Sequence, residues 1–74
     1  GHIARLFRQA TGMSISAYIT RQRMEMACRM LEQSELPPGT VAQRRGFSDY
    51  PYFFKVFKQT TGLSPTRYRS RMQK

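Results

Sequence analysis

Acidic residues are scarce in this chain. Only four of 74 residues are Asp or Glu, against thirteen Lys and Arg, for a formal net charge of +9. Tryptophan is absent, and cysteine and histidine occur once each, as Cys28 and His2. One cysteine excludes an intramolecular disulfide, and one cysteine with one histidine supply no tetrahedral zinc set. Cys28 therefore reads as a small core residue, with neither metal nor cofactor expected. No apolar run approaches the ~20 residues of a membrane span or the h-region of a signal peptide, so the expected location is the cytoplasm. An enzyme is also not expected: the acids scatter over a helix and loops, and no serine or cysteine has a base beside it in the predicted fold. A chain of this length buries only about 60% of its unfolded surface, which allows a single domain over residues 1–74.

The positive charge is unevenly placed. Residues 1–24 carry Arg5, Arg8, Arg21 and Arg23 with no acid, and residues 51–74 carry Lys55, Lys58, Arg67, Arg69, Arg71 and Lys74 with none. All four acids, Glu25, Glu32, Glu35 and Asp49, fall between them beside Arg29, Arg44 and Arg45, so the three stretches sum to +4, −1 and +6. Two basic regions separated by a near-neutral one suit a polyanion touched at two places. A merely solvated basic surface has the same composition, so charge alone does not decide.

What is abundant is repetition. Sliding the chain by 50 positions lays HIARLFRQATGMSISAYITRQR over YFFKVFKQTTGLSPTRYRSRMQ, with seven identities: Phe7/Phe57, Gln9/Gln59, Thr11/Thr61, Gly12/Gly62, Ser14/Ser64, Tyr18/Tyr68 and Arg21/Arg71. Such a period marks a duplicated supersecondary unit. In one copy Ile3, Leu6, Phe7 and Ala10 form a helical stripe that leaves Arg5 and Arg8 outside; in the other Phe53, Val56, Phe57 and Thr60 leave out Lys55 and Lys58. Gly12 and Gly62 then stop each helix, Ser14 and Ser64 cap the next, and Pro65 fits the first position of the last helix.

After Ser14 the stripe Ile15, Tyr18, Ile19, Ala27, Met30 and Leu31 predicts a long helix that SELPPG ends at Ser34. About 19 residues span roughly 28 Å, close to the ~34 Å between successive major-groove faces of B-DNA. Met24, Met26 and Met30 read as core and border residues. From Pro37 the prolines open a short helix with Val41 and Ala42 inside, Gly46 ends it, Phe47 plugs the corner, and Ser48 or Asp49 caps a basic amphipathic helix. That order is a helix-turn-helix.

The segments RMEMACRML and VAQRRGFSDYPYFFKVFKQTTGLSPTRYR resemble the C-terminal DNA-binding domain of the AraC/XylS family of bacterial transcription regulators. The resemblance covers nearly the whole chain. It implies an all-α, seven-helix fold in which a connector helix joins two helix-turn-helix units, each placing its second helix in the major groove. By position it assigns residues 2–12 to the reading helix of the first unit, 14–34 to the connector, and 37–74 to the second unit with the C-terminal helix. Ala4, Arg5, Tyr50, Pro51, Phe54 and Lys55 fall at base-edge places, Gly1 at another that glycine cannot use, and Arg8, Thr40, Ser48 and Lys58 at phosphate-facing ones. Gly12, Ala42, Gly46, Phe47, Phe57, Gly62 and Pro65 take structural places. Three departures stand out. Pro38 and Gly39 replace an apolar residue and a cap, Arg45 replaces a small or apolar residue, and Tyr50 and Pro51 replace polar readers, which shifts the expected readout toward thymine methyls and phosphate.

The same repeat places the counterparts of Val41, Ala42 and Gly46 about five to ten residues before Gly1. The expectation is thus an N-terminally truncated domain with its first unit incomplete, whose bare stripe frays or self-associates. The resemblance implies double-stranded DNA as partner and, in the parent protein, RNA polymerase and a missing N-terminal effector or dimerisation domain. The rival reading is a non-specific basic helical module for RNA, an acidic protein or an anionic membrane surface.

Overall fold

The computed structural model describes residues 2–73, so Gly1 and Lys74 lie outside the described residues. Five helices follow in order: α1 (His2–Thr11), α2 (Ile15–Gln33), α3 (Pro38–Arg44), α4 (Tyr50–Thr61) and α5 (Pro65–Met72). No strand occurs among the described residues, so the fold is all-α, with five helices here against the seven that the resemblance implies for a whole family domain. None of these helices is long and apolar enough to cross a membrane.

The helix ends follow from local chemistry. Gly12 and Gly62 have φ of +77° and +81°, and their N–H groups donate to the carbonyls of Arg8 at 2.7 Å and Lys58 at 2.8 Å. A Cβ at either glycine would meet nothing within 4 Å, so both are needed for backbone conformation rather than for space. Ser14 Oγ accepts from the Ala17 N–H at 3.1 Å, and Ser64 Oγ from the Arg67 N–H at 3.3 Å. The start of α4 differs from expectation. Asp49 holds the N-cap position, yet its side chain makes no capping bond. Pro51, the second residue of the helix, has removed one of the N–H groups that a cap would bind.

The core lies in the C-terminal two-thirds of the chain. Met24, Ala27 and Leu31 of α2, Val41 and Ala42 of α3, Phe47 of the turn, and Phe53 and Phe57 of α4 are buried together. Burying each large side chain contributes about 1.5–3 kcal/mol. The stripe expected along α2 is therefore only partly right: Ala27 and Leu31 are buried, but Tyr18 and Ile19 are exposed and Met24 takes a central place. The reason is that α3 and α5 pack on α2, with α5 bonded to Leu31 and Glu32 at its C-terminal end. Met30 is half-buried and Met26 exposed.

Long-range hydrogen bonds fix α5 against the end of α2, where the last carbonyls have no partner within the helix. Arg69 Nε donates to Leu31 O at 3.1 Å, and its guanidinium donates also to Leu36 O. Gln73 Nε2 lies 3.0 Å from the carbonyl oxygens of Leu31, Glu32 and Ser34. Tyr68 donates its hydroxyl proton to the Glu32 carboxylate while its ring meets Phe57 edge-on at 5.3 Å. Glu32, Tyr68 and Phe57 thus connect α2 to the inner face of α4.

Candidate nucleic-acid interface

α4 has two faces. Phe53 and Phe57 are fully buried on one, while Tyr50, Pro51, Phe54, Lys55 and Lys58 are exposed on the other. Tyr50 and Phe54 stand one turn apart with ring centroids at 6.3 Å. All four residues assigned to base edges in the second unit therefore share the exposed first turns of one helix, with Lys58 further along. Ser48 is exposed in the preceding turn, whereas Thr40 is half-buried on α3.

The turn behind α4 sets its orientation. Gly46 has φ +91°, and the next N–H, of Phe47, donates to Ala42 O at 2.9 Å. This folds Phe47 inward, where its ring meets Phe53 at 5.0 Å with planes 64° apart. Crowding adds to the case for glycine at this position: a Cβ would sit 3.0 Å from Arg23 Nε, a side chain of α2 that lies over the turn. Ala42 is fully buried, so α3 and α4 cross with a small residue between them.

In α1, Ala4, Arg5 and Arg8 are exposed, and so are Ile3 and Leu6 from the expected packing stripe. Phe7 is half-buried, its ring edge-on to Tyr18 at 5.2 Å. The α1 and α4 residue sets are on separate helices: α1 leads into the N-terminal end of α2, and Tyr52, Val56 and Thr60 of α4 line a groove with residues 16–24 of α2. Among the described residues one ion pair forms, Arg21 with Glu25 at 3.6 Å. The cations of the α1 and α4 faces are thus not neutralised by protein carboxylates.

Sequence reasoning missed Tyr52, which is exposed beside the α4 face, and Arg23 over the Gly46 turn. It also missed the Tyr68, Arg69 and Gln73 contacts, which join residues 33 to 42 positions apart and leave no local signal. Burial, followed by the bond to Glu32, pushes the Tyr68 hydroxyl well above the ordinary tyrosine range. The Cys28 thiol is raised mainly by burial, opposed by a hydrogen bond with Tyr68 and reinforced by the charges of Glu32 and Glu25. Neither group is poised to ionise near neutrality, which suits a positioning role.

A helix-turn-helix with a buried turn aromatic and a basic, aromatic outer helix defines a class of protein, and sequence comparison narrows it. Residues 1–71 match the profile of a helix-turn-helix domain family. The chain belongs to the AraC-type helix-turn-helix family. It is 38% identical over 68 residues to the arabinose operon regulatory protein of Escherichia coli, covering 92% of this chain and 23% of that protein. It is 44% identical over 69 residues to the HTH-type transcriptional activator RhaR of Yersinia pestis, covering 93% and 24%. The chain thus spans about a quarter of the length of these curated relatives. Among solved structures, the C-terminal domain of AraT, a response regulator from Geobacillus stearothermophilus, superposes with a TM-score of 0.89 at 36% identity, covering 95% of this chain and 58% of that one. The C-terminal domain of the two-component response regulator yesN from Fusobacterium nucleatum gives 0.86 at 32% identity, covering 93% and 67%.

Proposed function

We propose that this chain is a sequence-selective, double-stranded DNA-binding domain of a bacterial transcription regulator acting in the cytoplasm. The observation that carries the reading is the face of α4: Tyr50, Pro51, Phe54 and Lys55 converge on the first turns of a helix whose other face is fixed in the core by Phe53 and Phe57. A rigidly backed helix can enter the ~12 Å major groove. Lys55 reaches base edges there, Tyr50 and Phe54 offer apolar contact to thymine methyls, and Lys58 and Ser48 bind phosphate, with Thr40 at the edge of the contact. On α1, Arg5 and Ala4 address bases and Arg8 phosphate in an adjacent groove segment, with α2 as the spacer. In the parent protein, an N-terminal effector or dimerisation domain supplies the signal, and RNA polymerase is the further partner.

Labelled duplexes of different sequence, titrated at several salt concentrations, test this reading. Affinity should fall steeply with salt for all duplexes while the ranking between them persists. Equal affinities at every salt level, or equal binding of RNA and anionic vesicles, would favour the non-specific basic module instead.

A further inference from the structure

Away from the α4 face, the seam of α2 with the end of α3 carries a groove of about 370 Å³. Met26, Met30 and Leu36 give it apolar walls, and Arg29 and Arg45 bring two guanidinium groups to it. No residue of α1 or α4 contributes. Arg45 is unusual: its Nε is buried without a hydrogen-bond partner, the one such side-chain atom among the described residues. Its Nη1 reaches only the Met26 sulfur, at 4.0 Å, a weak acceptor. Neither arginine forms an ion pair among the described residues. A buried N–H without an acceptor is costly and calls for a physical explanation.

We propose that this groove docks a protein segment that presents a carboxylate next to an apolar side chain, an acidic amphipathic stretch of a partner. Charge complementarity selects the acid. A carboxylate takes the two-pronged hydrogen bond that a guanidinium edge offers, drawing Arg45 off Met26 and giving Nε the acceptor it lacks. The apolar walls select the rest of the ligand, because unbranched methionines adapt to a varied apolar side chain. A duplex backbone fits less well: its phosphates would meet the arginines but leave Met26, Met30 and Leu36 against sugar and water. Since the groove lies off the α4 face, such a partner and DNA can be held together.

Selection of displayed random peptides on the full chain, with duplex DNA present in excess, provides the probe. Enriched peptides should pair Asp or Glu with Leu, Phe or Met. Their affinity should drop about tenfold on Arg45→Ala, and Arg45→Lys should also weaken them, because it keeps the charge but loses the fork. Arg71→Ala, which removes a cation elsewhere, should leave binding unchanged, and thermal melts should show the Arg45 variants folded. Peptides that are acidic without an apolar partner, that respond equally to Arg71→Ala and Arg45→Ala, or that duplex DNA displaces would overturn the proposal. So would failure to enrich any peptide.

Discussion

The chain contains the same local device twice, in two different surroundings. In both copies a threonine hydroxyl donates to the carbonyl four residues back, Thr11 to Phe7 at 2.8 Å and Thr61 to Phe57 at 2.9 Å. The same oxygens accept from the N–H groups of Met13 at 3.2 Å and Leu63 at 3.1 Å. Glycine in the left-handed region, a serine cap and an edge-on Phe–Tyr pair complete each copy. Burial separates them. Phe53 and Phe57 are 0% exposed, whereas Ile3, the counterpart of Phe53, is 75% exposed, and α1 has no buried residue. Stop and cap chemistry is thus written within a dozen residues, while the stability of the helix it ends depends on what packs against it.

The largest effect is expected from core truncation. Phe57→Ala should cost about 3–5 kcal/mol, a large share of the stability of a small domain, whereas Phe7→Ala should cost roughly 1 kcal/mol or less. Paired thermal melts check this, and equal losses would mean that the first copy is as tightly packed as the second. Next comes backbone strain. Gly62→Val should cost about 1–3 kcal/mol through a β-branched residue at positive φ, with no steric clash to add. Gly12→Val imposes the same strain on a helix that bears little of the core, so the main melting transition should move less.

Hydrogen exchange reads the contrast without mutation: amides of residues 53–61 should exchange far more slowly than those of residues 3–11, and sedimentation would show whether the exposed α1 stripe is covered by a second copy. A smaller effect concerns pH. Tyr68 is raised in the folded state, so the folded chain holds this proton where the unfolded chain begins to lose it, near pH ~10. Its contribution is complete below that pH and is lost as pH rises toward the folded value. Stability should therefore fall in alkaline solution, and Tyr68→Phe, which cannot titrate, should flatten the fall in a pH series of melts.

Much of this was legible in the sequence for a physical reason. Gly12, Gly62, Ser14, Ser64 and Pro65 act on groups within four residues, so their spacing alone foretold the helix boundaries. The helix-turn-helix around Ala42, Gly46 and Phe47 was equally local. What escaped was tertiary. Nothing near Glu32 announces that Tyr68 will bind it, and the periodicity of α2 does not say which half the other helices cover. Asp49 looked like a cap because its type suits one, but Pro51 had already changed the donors at that helix start. On the candidate interface, helical period put Lys55 and Lys58 off the packing stripe, while the grouping of Tyr50, Pro51 and Phe54 with Lys55 and their roles toward DNA rest on the family resemblance.

On the proposed function, α4 reads base pairs from a fixed position while its second basic turn holds the backbone. Selection of bound duplexes from a random pool, run in parallel with the wild-type chain, Lys55→Ala and Lys58→Ala, separates these two roles. Lys55→Ala should change the preferred sequence, with a loss of about 1–3 kcal/mol of discrimination, and Lys58→Ala should weaken all duplexes alike and lower the salt slope by about one. Recovery of one and the same pool from all three proteins, with equal loss of affinity in both variants, would contradict that reading.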